Sequence, residues 1–314
     1  MPSVGVIGAS GFAGALAAQL VDRHPHFELA YATARAEAGT RLSDLHPRTR
    51  VDLTLEEFDA AHAVDAAIVA YPHGAAAPAV AALLATGTRV IDLSADFRLT
   101  DPATYAEWYG EHGAPELFGS AVYGLPELYR EQIAGADFVA APGCYPTAAL
   151  LALKPLAGRV DAIVIDAKSG VSGAGRAATD ATHFVTVNED LKPYKVGAHR
   201  HRPEIEQELG QSVVFQPHLV PMSSGELVSC YARVTGDVDG VYDVYDDEPF
   251  VEMLDRAPGV LEVRETNDCR ISVHRDGDQL IVFAAIDNLW KGTASQAVQS
   301  LNLMFGRPET EGLK

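Results

Sequence analysis

Apolar residues fall into two patterns along this chain, and the change comes near residue 143. In the first part, short unbroken apolar runs occupy residues 4–7, 28–33, 66–70, 89–93 and 137–140. Runs of this length, bounded by Gly, Pro and polar clusters, are expected of buried strands. Ala- and Leu-rich stretches at 12–21 and 75–85 read as helices between them. Strand–helix–strand alternation predicts a parallel sheet with right-handed crossovers. Residues 100–130, rich in Tyr, Trp, Gly and Pro, read as an irregular excursion from that sheet and not as a linker.

Beyond residue 143, the apolar segment 148–153 reads as a helix and residues 160–167 alternate as a strand does. Further strands are expected at 213–216, 227–234, 261–264, 270–274 and 280–286, with helices only at 203–209 and 249–256. Many strands and few helices predict an α+β unit with a mixed or antiparallel sheet. A last amphipathic stretch, 293–305, reads as a helix returning to the first part. The expected fold is thus an α/β Rossmann domain over residues 1–143, rejoined by 293–314, and an α+β domain over 144–292. A length of 314 residues agrees with two domains.

Three stretches carry candidate chemistry. Gly8-Ala9-Ser10-Gly11-Phe12-Ala13-Gly14 follows the first strand and opens the first helix, a relative of the dinucleotide fingerprint. Its backbone can approach a pyrophosphate held at a helix N-terminus. The second strand ends in Thr33-Ala34-Arg35, where an NAD-selective site would place an acidic residue; a hydroxyl and a guanidinium suit a 2′-phosphate, so NADP is the expected cofactor. In Ala141-Pro142-Gly143-Cys144-Tyr145-Pro146-Thr147, Cys144 falls on a strand-to-helix turn, where the helix N-terminus favours thiolate, the nucleophilic form.

Weaker candidates accompany these. Residues 169–176, which include Ser172 and end in Arg176, are dense in backbone donors and could cradle an anion, or form an ordinary surface loop. His199-Arg200-His201 places two imidazoles on one face if the segment is extended. They would do acid–base work opposite Cys144, or pack as structural histidines; no third and fourth ligand at motif spacing supports a metal. His73 and Asp96 follow strand ends, where either ligand contact or loop ordering would explain them.

Composition narrows the classes. Forty-three acidic against 24 basic side chains give a net charge of −19, which argues against nucleic acid or an anionic membrane as partner. No apolar run approaches the ~18 residues a membrane helix needs, and the N-terminus lacks the marks of a secretory signal. Cys144, Cys230 and Cys269 are too few and scattered for a disulfide framework. A cytoplasmic protein is expected.

Taken in order, the glycine turn, Pro142-Gly143-Cys144-Tyr145-Pro146-Thr147, residues 169–175, His199-Arg200-His201-Arg202-Pro203-Glu204-Ile205, Pro217-His218-Leu219-Val220-Pro221-Met222 and Asp287-Asn288-Leu289-Trp290-Lys291-Gly292 resemble the N-acetyl-gamma-glutamyl-phosphate reductases of arginine biosynthesis. The resemblance implies an aspartate-semialdehyde-dehydrogenase-like architecture, with NADP on the first domain and catalysis and dimerisation on the second. It implies a small acyl phosphate as substrate, reduction through a Cys144 thioester, His201 or secondarily His199 as acid–base group, and homodimers or homotetramers. Residues 10–13, residues 33–35 and Asn288 would hold NADP; Ser172 and Arg200 or Arg202 would hold the substrate, the guanidinium fork matching a carboxylate. Two positions depart from the pattern. Ser224 stands where the family usually has arginine, and Ala177 where a basic residue is common. A sister family acts on carrier-tethered glutamyl or aminoadipyl phosphates, but Tyr145-Pro146 and Pro203 fit the free-substrate pattern. A Cys–His acyl-transfer hydrolase and an NADP-sensing module are the more distant alternatives.

Overall fold

The computed structural model describes residues 1–314, which form two compact units, residues 1–142 with 293–314 and residues 143–292. The first unit runs β1 (Ser3–Ile7), α1 (Phe12–Asp22), β2 (Glu28–Thr33), α2 (Leu42–Leu45), β3 (Ala66–Val69), α3 (Ala77–Ala85), β4 (Arg89–Asp92), α4 (Pro102–Tyr109), β5 (Val122–Tyr123), α5 (Pro126–Ala134) and β6 (Phe138–Ala140). Its sheet has the order β2-β1-β3-β4-β6-β5, and every pairing is parallel. Inner strands of such a sheet are covered on both faces, which is why they read as largely apolar runs: all four residues of β3 are buried, whereas β2 at the edge is half exposed. Between β1 and β3 the chain changes direction of travel across the sheet, and there the strand ends part to leave a ligand crevice.

The second unit opens on α6 (Cys144–Leu153) and continues with β7 (Val160–Ser169), α7 (Phe184–Val187), β8 (Lys192–Pro193), α8 (His201–Leu209), β9 (Val214–Leu219), β10 (Glu226–Val234), β11 (Val251–Met253), β12 (Cys269–Asp276) and β13 (Gln279–Ile286). Its seven strands form a mixed sheet, β11-β12-β13-β10-β7-β9-β8. Helix α6 lies on one face against β10 and β13 and beside α8. It is apolar all round, with every residue from Tyr145 to Leu153 buried, as a helix sunk in a core must be. The opposite face of the sheet is half open, with Val164 and Tyr231 exposed beside an Asp166–Lys168 ion pair of 2.6 Å. After a π-helical segment, Trp290–Ala294, the chain returns to the first unit as α9 (Ser295–Met304), packed on α1, α5 and β4.

Several local expectations are corrected. Residues 100–130 contain α4, β5 and α5; Pro102 and Pro126 each open a helix, where a missing N–H costs nothing. Residues 249–256 are no helix. Val251–Met253 pair in parallel with Cys269–Ile271, so an available sheet edge overrides a weak helical pattern. Residues 261–264 are no strand, because Glu262 reaches back to the Gly259 N–H at 2.9 Å and closes a 3₁₀ turn. The helix read from the apolar segment 148–153 extends back to Cys144, with Pro146 in its first turn.

Candidate active site

Glycine packing fixes the geometry around Cys144. Gly143 caps α6 with extended backbone (φ −68°, ψ 158°), and Cys144 is the first helical residue. The partly exposed thiol therefore sits at the positive end of a fully buried helix. A Cβ on Gly143 would lie 2.4 Å from Nε2 of His201, so the imidazole rests directly against the residue before the cysteine. From the other side, a Cβ on Gly292 would lie 2.7 Å from Cβ of Cys144. Neither position has room for a methyl group. Glu204, 1 % exposed, accepts the Gly143 N–H at 2.9 Å and so ties α8 to the cysteine turn.

The segment is not extended, the condition under which the two histidines would share a face. His199 lies in the turn before α8 and His201 is the first residue of that helix. The His201 N–H donates to Nδ1 of His199 at 3.2 Å, which leaves Nε2 of His199 to carry a proton and donate toward Tyr194 Oη at 3.4 Å. Tyr194 Oη in turn meets Tyr145 Oη at 3.3 Å. Burial, with Lys195 and Arg200 adding repulsion, pushes the His199 pKa down to about 3, so His199 is a neutral support for its neighbour. Burial likewise raises both tyrosines far above the physiological range, and they act as hydrogen-bonding groups only.

Around the sulfur, the loops that follow β7, lead into β10 and follow β13 are laced together. Gly170 N–H donates to Gly225 O (2.9 Å), and Ser172 N–H to Ser223 O (3.0 Å). Asn288, 1 % exposed, accepts the Gly225 N–H at 2.7 Å and donates to Ser172 Oγ at 3.0 Å. Asn288 and Ser172 are thus a pair within the second unit. Arg202 is drawn to Glu206 at 3.0 Å, whereas Arg200 is exposed. At Ser224 a guanidinium arrives from a distant part of the chain: Arg264 Nη2 donates to Ser224 O at 2.9 Å, and its buried Nε has no partner.

In the first unit, the glycine turn has the three spacings a dinucleotide needs. Gly8 (φ +90°) has no space for a side chain against Ala70 O at 2.9 Å, and Gly14 none against Gly8 O at 2.4 Å. Gly11, the N-cap of α1, has nothing nearer than 3.8 Å and no side chain capping the helix. The Phe12 and Ala13 N–H groups at the start of α1 are then available to an anion. Ser10 O meets Nε2 of His46 at 2.9 Å, which braces the turn from outside. Thr33 is turned inward, its Oγ1 accepting the Gly8 N–H at 3.3 Å. Ala34 and Arg35 line an open cavity of about 750 Å³ with Phe58, Tyr71 and Pro78, and the Arg35 guanidinium lies 4.7 Å over the Tyr71 ring. These residues fit a dinucleotide: a backbone cradle, a free helix end and a cavity with a cation at its rim.

Asp96 accepts the Gly74 and Ala77 N–H groups and the Tyr105 hydroxyl, and His73 Nδ1 accepts the Ala95 N–H, so both order loops. Sequence reasoning passed over Arg98, Glu204, Glu226, Arg264 and the close approach of Gly292. Arg98, 6 % exposed, donates to Ala141 O at 2.7 Å and Leu93 O at 2.8 Å, bracing the approach to the cysteine turn. An arginine two residues after Asp96, inside an apolar stretch, was a readable signal; the others depend on contacts distant in sequence.

Comparison with known proteins shows where this arrangement recurs. Residues 3–136 match the family model "Semialdehyde dehydrogenase, NAD binding domain", and residues 144–288 match "Semialdehyde dehydrogenase, dimerisation domain". A protein of Desulforudis audaxviator named N-acetyl-gamma-glutamyl-phosphate reductase is 47 % identical, with 100 % of this chain and 98 % of that protein covered. One of Dehalococcoides mccartyi with the same name is 49 % identical over 99 % of this chain and 96 % of its own length. Among solved structures, aspartate semialdehyde dehydrogenase II of Vibrio cholerae shares the fold, with a TM-score of 0.76 at 18 % identity over 98 % of both chains. The Candida albicans aspartate semialdehyde dehydrogenase, solved with NADP, has a TM-score of 0.74 at 15 % identity, over 97 % of this chain and 98 % of its own.

The glycine contact yields a direct test. Gly143→Ala must displace the His201 ring. If that ring, protonated, holds the Cys144 thiolate, its displacement raises the thiol pKa. Alkylation by iodoacetamide at pH 7 then slows in proportion to the thiolate lost, about tenfold for a pKa higher by one. An alkylation rate within about twofold of the wild type would mean that His201 does not govern the sulfur.

Proposed function

This chain belongs to the semialdehyde dehydrogenase family, and from that premise we propose that it is an NADPH-dependent N-acetyl-gamma-glutamyl-phosphate reductase, forming N-acetyl-L-glutamate 5-semialdehyde and phosphate in arginine biosynthesis. The observation that carries the chemistry is the Cys144 thiol at the N-terminus of α6 with the His201 imidazole laid against Gly143. The helix end and an imidazolium both favour thiolate. The thiolate attacks the acyl carbon, a C–S bond forms, and the C–O bond to phosphate breaks, leaving a thioester on Cys144. His201 supplies the proton that the departing phosphate oxygen needs, a role suited to imidazole near neutral pH. NADPH, when bound, supplies the hydride that reduces the thioester carbon. The resulting thiohemiacetal then collapses to the aldehyde and regenerates Cys144.

Each remaining group has a part in this reading. Gly8, Gly11 and Gly14 with Ser10, Phe12 and Ala13 receive the pyrophosphate, and Arg35 reads the 2′-phosphate from the cavity it shares with Ala34. Thr33 acts by holding the turn. Asn288 orders Ser172 and Gly225 beside the sulfur. Arg200, which is exposed, and Arg202, which is paired with Glu206, are the two arginines for the substrate carboxylate. A homodimer or homotetramer built through the half-open face of the second sheet, and a cytoplasmic location, complete the reading. No helix is long and apolar enough to cross a membrane. Carrier-tethered substrates, a hydrolase and a sensing module are not supported, since the full-length relatives are named N-acetyl-gamma-glutamyl-phosphate reductases.

The deciding assay is phosphate-dependent oxidation of N-acetyl-L-glutamate 5-semialdehyde, followed by nicotinamide absorbance. Cys144→Ser should bind nucleotide as the wild type does and lose turnover by roughly 10⁴-fold or more, the scale of nucleophile removal. Substantial residual activity would remove Cys144 from the chemistry. A second prediction concerns the cofactor. Arg35→Ala should weaken NADP by about 1.5–3 kcal/mol, the worth of a charge-assisted contact, and leave NAD unchanged. Equal loss for both nucleotides would show that Arg35 does not read the phosphate.

A further inference from the structure

Glu226 is the first residue of β10, paired with Ser169 on one side and Ile286 on the other, and it is fully buried. A carboxyl group in such a place normally has hydrogen bonds to repay its desolvation. Neither Glu226 oxygen has a nitrogen or oxygen partner; the polar group close to it is the Cys144 thiol, which favours its charged form. The neighbouring residues explain why nothing else reaches it. Asn288 takes the Gly225 N–H, and Asp287 is occupied by the N–H groups of Glu265, Leu289 and Trp290. A buried carboxyl whose sole polar contact is the reacting sulfur is poorly suited to a structural role.

We infer that Glu226 is the proton partner of the Cys144 sulfur, taking the thiol proton as the sulfur attacks and returning it when the C–S bond breaks. This rests on the thioester chemistry proposed above. In the first half-reaction the S–H electron pair forms the C–S bond, the thiol proton moves to the Glu226 carboxylate, and His201 protonates the departing phosphate. After reduction, the alkoxide of the thiohemiacetal re-forms C=O. The C–S electrons return to sulfur together with the proton stored on Glu226, and His201 is recharged from solvent. One solvent proton is consumed per turnover, as the overall reduction requires.

Burial, and secondarily the negative charge of Asp287, push the Glu226 pKa up to about 8 against an opposing effect of the Cys144 hydrogen bond. A carboxyl raised into the range where thiols titrate can both take the sulfur's proton and return it. The groups facing Glu226 are Cys144 and Tyr145 on α6, Tyr194 before α8, and Asp287 after β13. The tyrosines stay neutral at physiological pH, so Cys144 and Glu226 titrate as a coupled pair.

The experiment reads the pair without substrate. Iodoacetamide alkylation of Cys144, followed from about pH 5 to 10 to span both groups, should show two ionisations of the Cys144–Glu226 pair in the wild type, counted apart from that of His201, which every variant shares: loss of the first proton gives a thiolate beside the protonated carboxyl, loss of the second a bare and faster one. Glu226→Gln should show one ionisation, and Glu226→Met, which fills the space without a polar group, should do the same. Both should lower kcat of the phosphate-dependent oxidation by about 10²-fold, the low end for a positioned acid–base group, with nucleotide affinity unchanged. Glu226→Asp, which keeps an acid, should retain two ionisations. Coincident alkylation profiles for the wild type and both neutral variants would overturn the inference and leave the reductase reading intact. Profiles that differ as expected while the wild type shows no turnover of acyl phosphate or semialdehyde would support the pair and count against the substrate assignment.

Discussion

The second unit depends on a backbone squeezed from two sides at the first turn of α6. His201 presses on Gly143 and the 290–294 segment presses on Cys144 through Gly292, both within distances that exclude a methyl group. A helix end enclosed in this way cannot move to accommodate a substrate; the sulfur is held in place before anything binds. Such rigidity has energetic support. Nine consecutive residues of α6 are buried, and burying a large aliphatic or aromatic side chain contributes about 1.5–3 kcal/mol. The apolar body of the helix thus stabilises a polar, reactive tip, and pre-organisation is where much of an enzyme's advantage lies.

Around that tip, neutral and charged groups have separate tasks. His199 is kept neutral by burial and by two nearby cations, and its ring receives the His201 N–H, which sets the position of the His201 imidazole. Glu204 holds the Gly143 amide, so the helix that carries His201 and the turn that carries the sulfur are connected by one hydrogen bond. In the first unit the division is similar: Gly8 and Gly14 allow close backbone packing, whereas Gly11 leaves open space for a phosphate. Thr33 serves the turn from below while Arg35 faces the cavity.

How much of this was legible before the structure follows from how local each feature is. The parallel sheet was readable because its inner strands are buried on both faces and largely apolar; β3, buried at all four residues, lies within the expected run 66–70. Cys144 announced itself through flanking Gly and Pro, a signal contained within a single short turn. Reading failed where partners are distant, and also where a short-range side-chain bond decides the backbone. Residues 251–253 look weakly helical until β12 offers an edge, and residues 261–264 look like a strand until Glu262 folds back on Gly259. The His–x–His spacing left the backbone open, and an N–H to imidazole bond closes it into a turn. Glu226 is the sharpest case. In sequence it continues the polar run that departs from the family's arginine, and only the pairing of β10 with β7 and β13 shows that its carboxyl is buried against the sulfur. Arg264 is similar, since a guanidinium 40 positions away supplies charge at Ser224 that the local sequence lacks.

Central to the account is a covalent acyl-enzyme on Cys144, formed before any hydride moves. Mixing the protein with N-acetyl-L-glutamyl 5-phosphate in the absence of nucleotide, and following phosphate release alongside mass spectrometry of the peptide that contains Cys144, examines that step alone. The account predicts release of one phosphate per active chain in a rapid first phase, with an N-acetylglutamyl adduct on Cys144 that hydroxylamine removes. Phosphate release that requires NADPH, or a first phase without any adduct on Cys144, would contradict it.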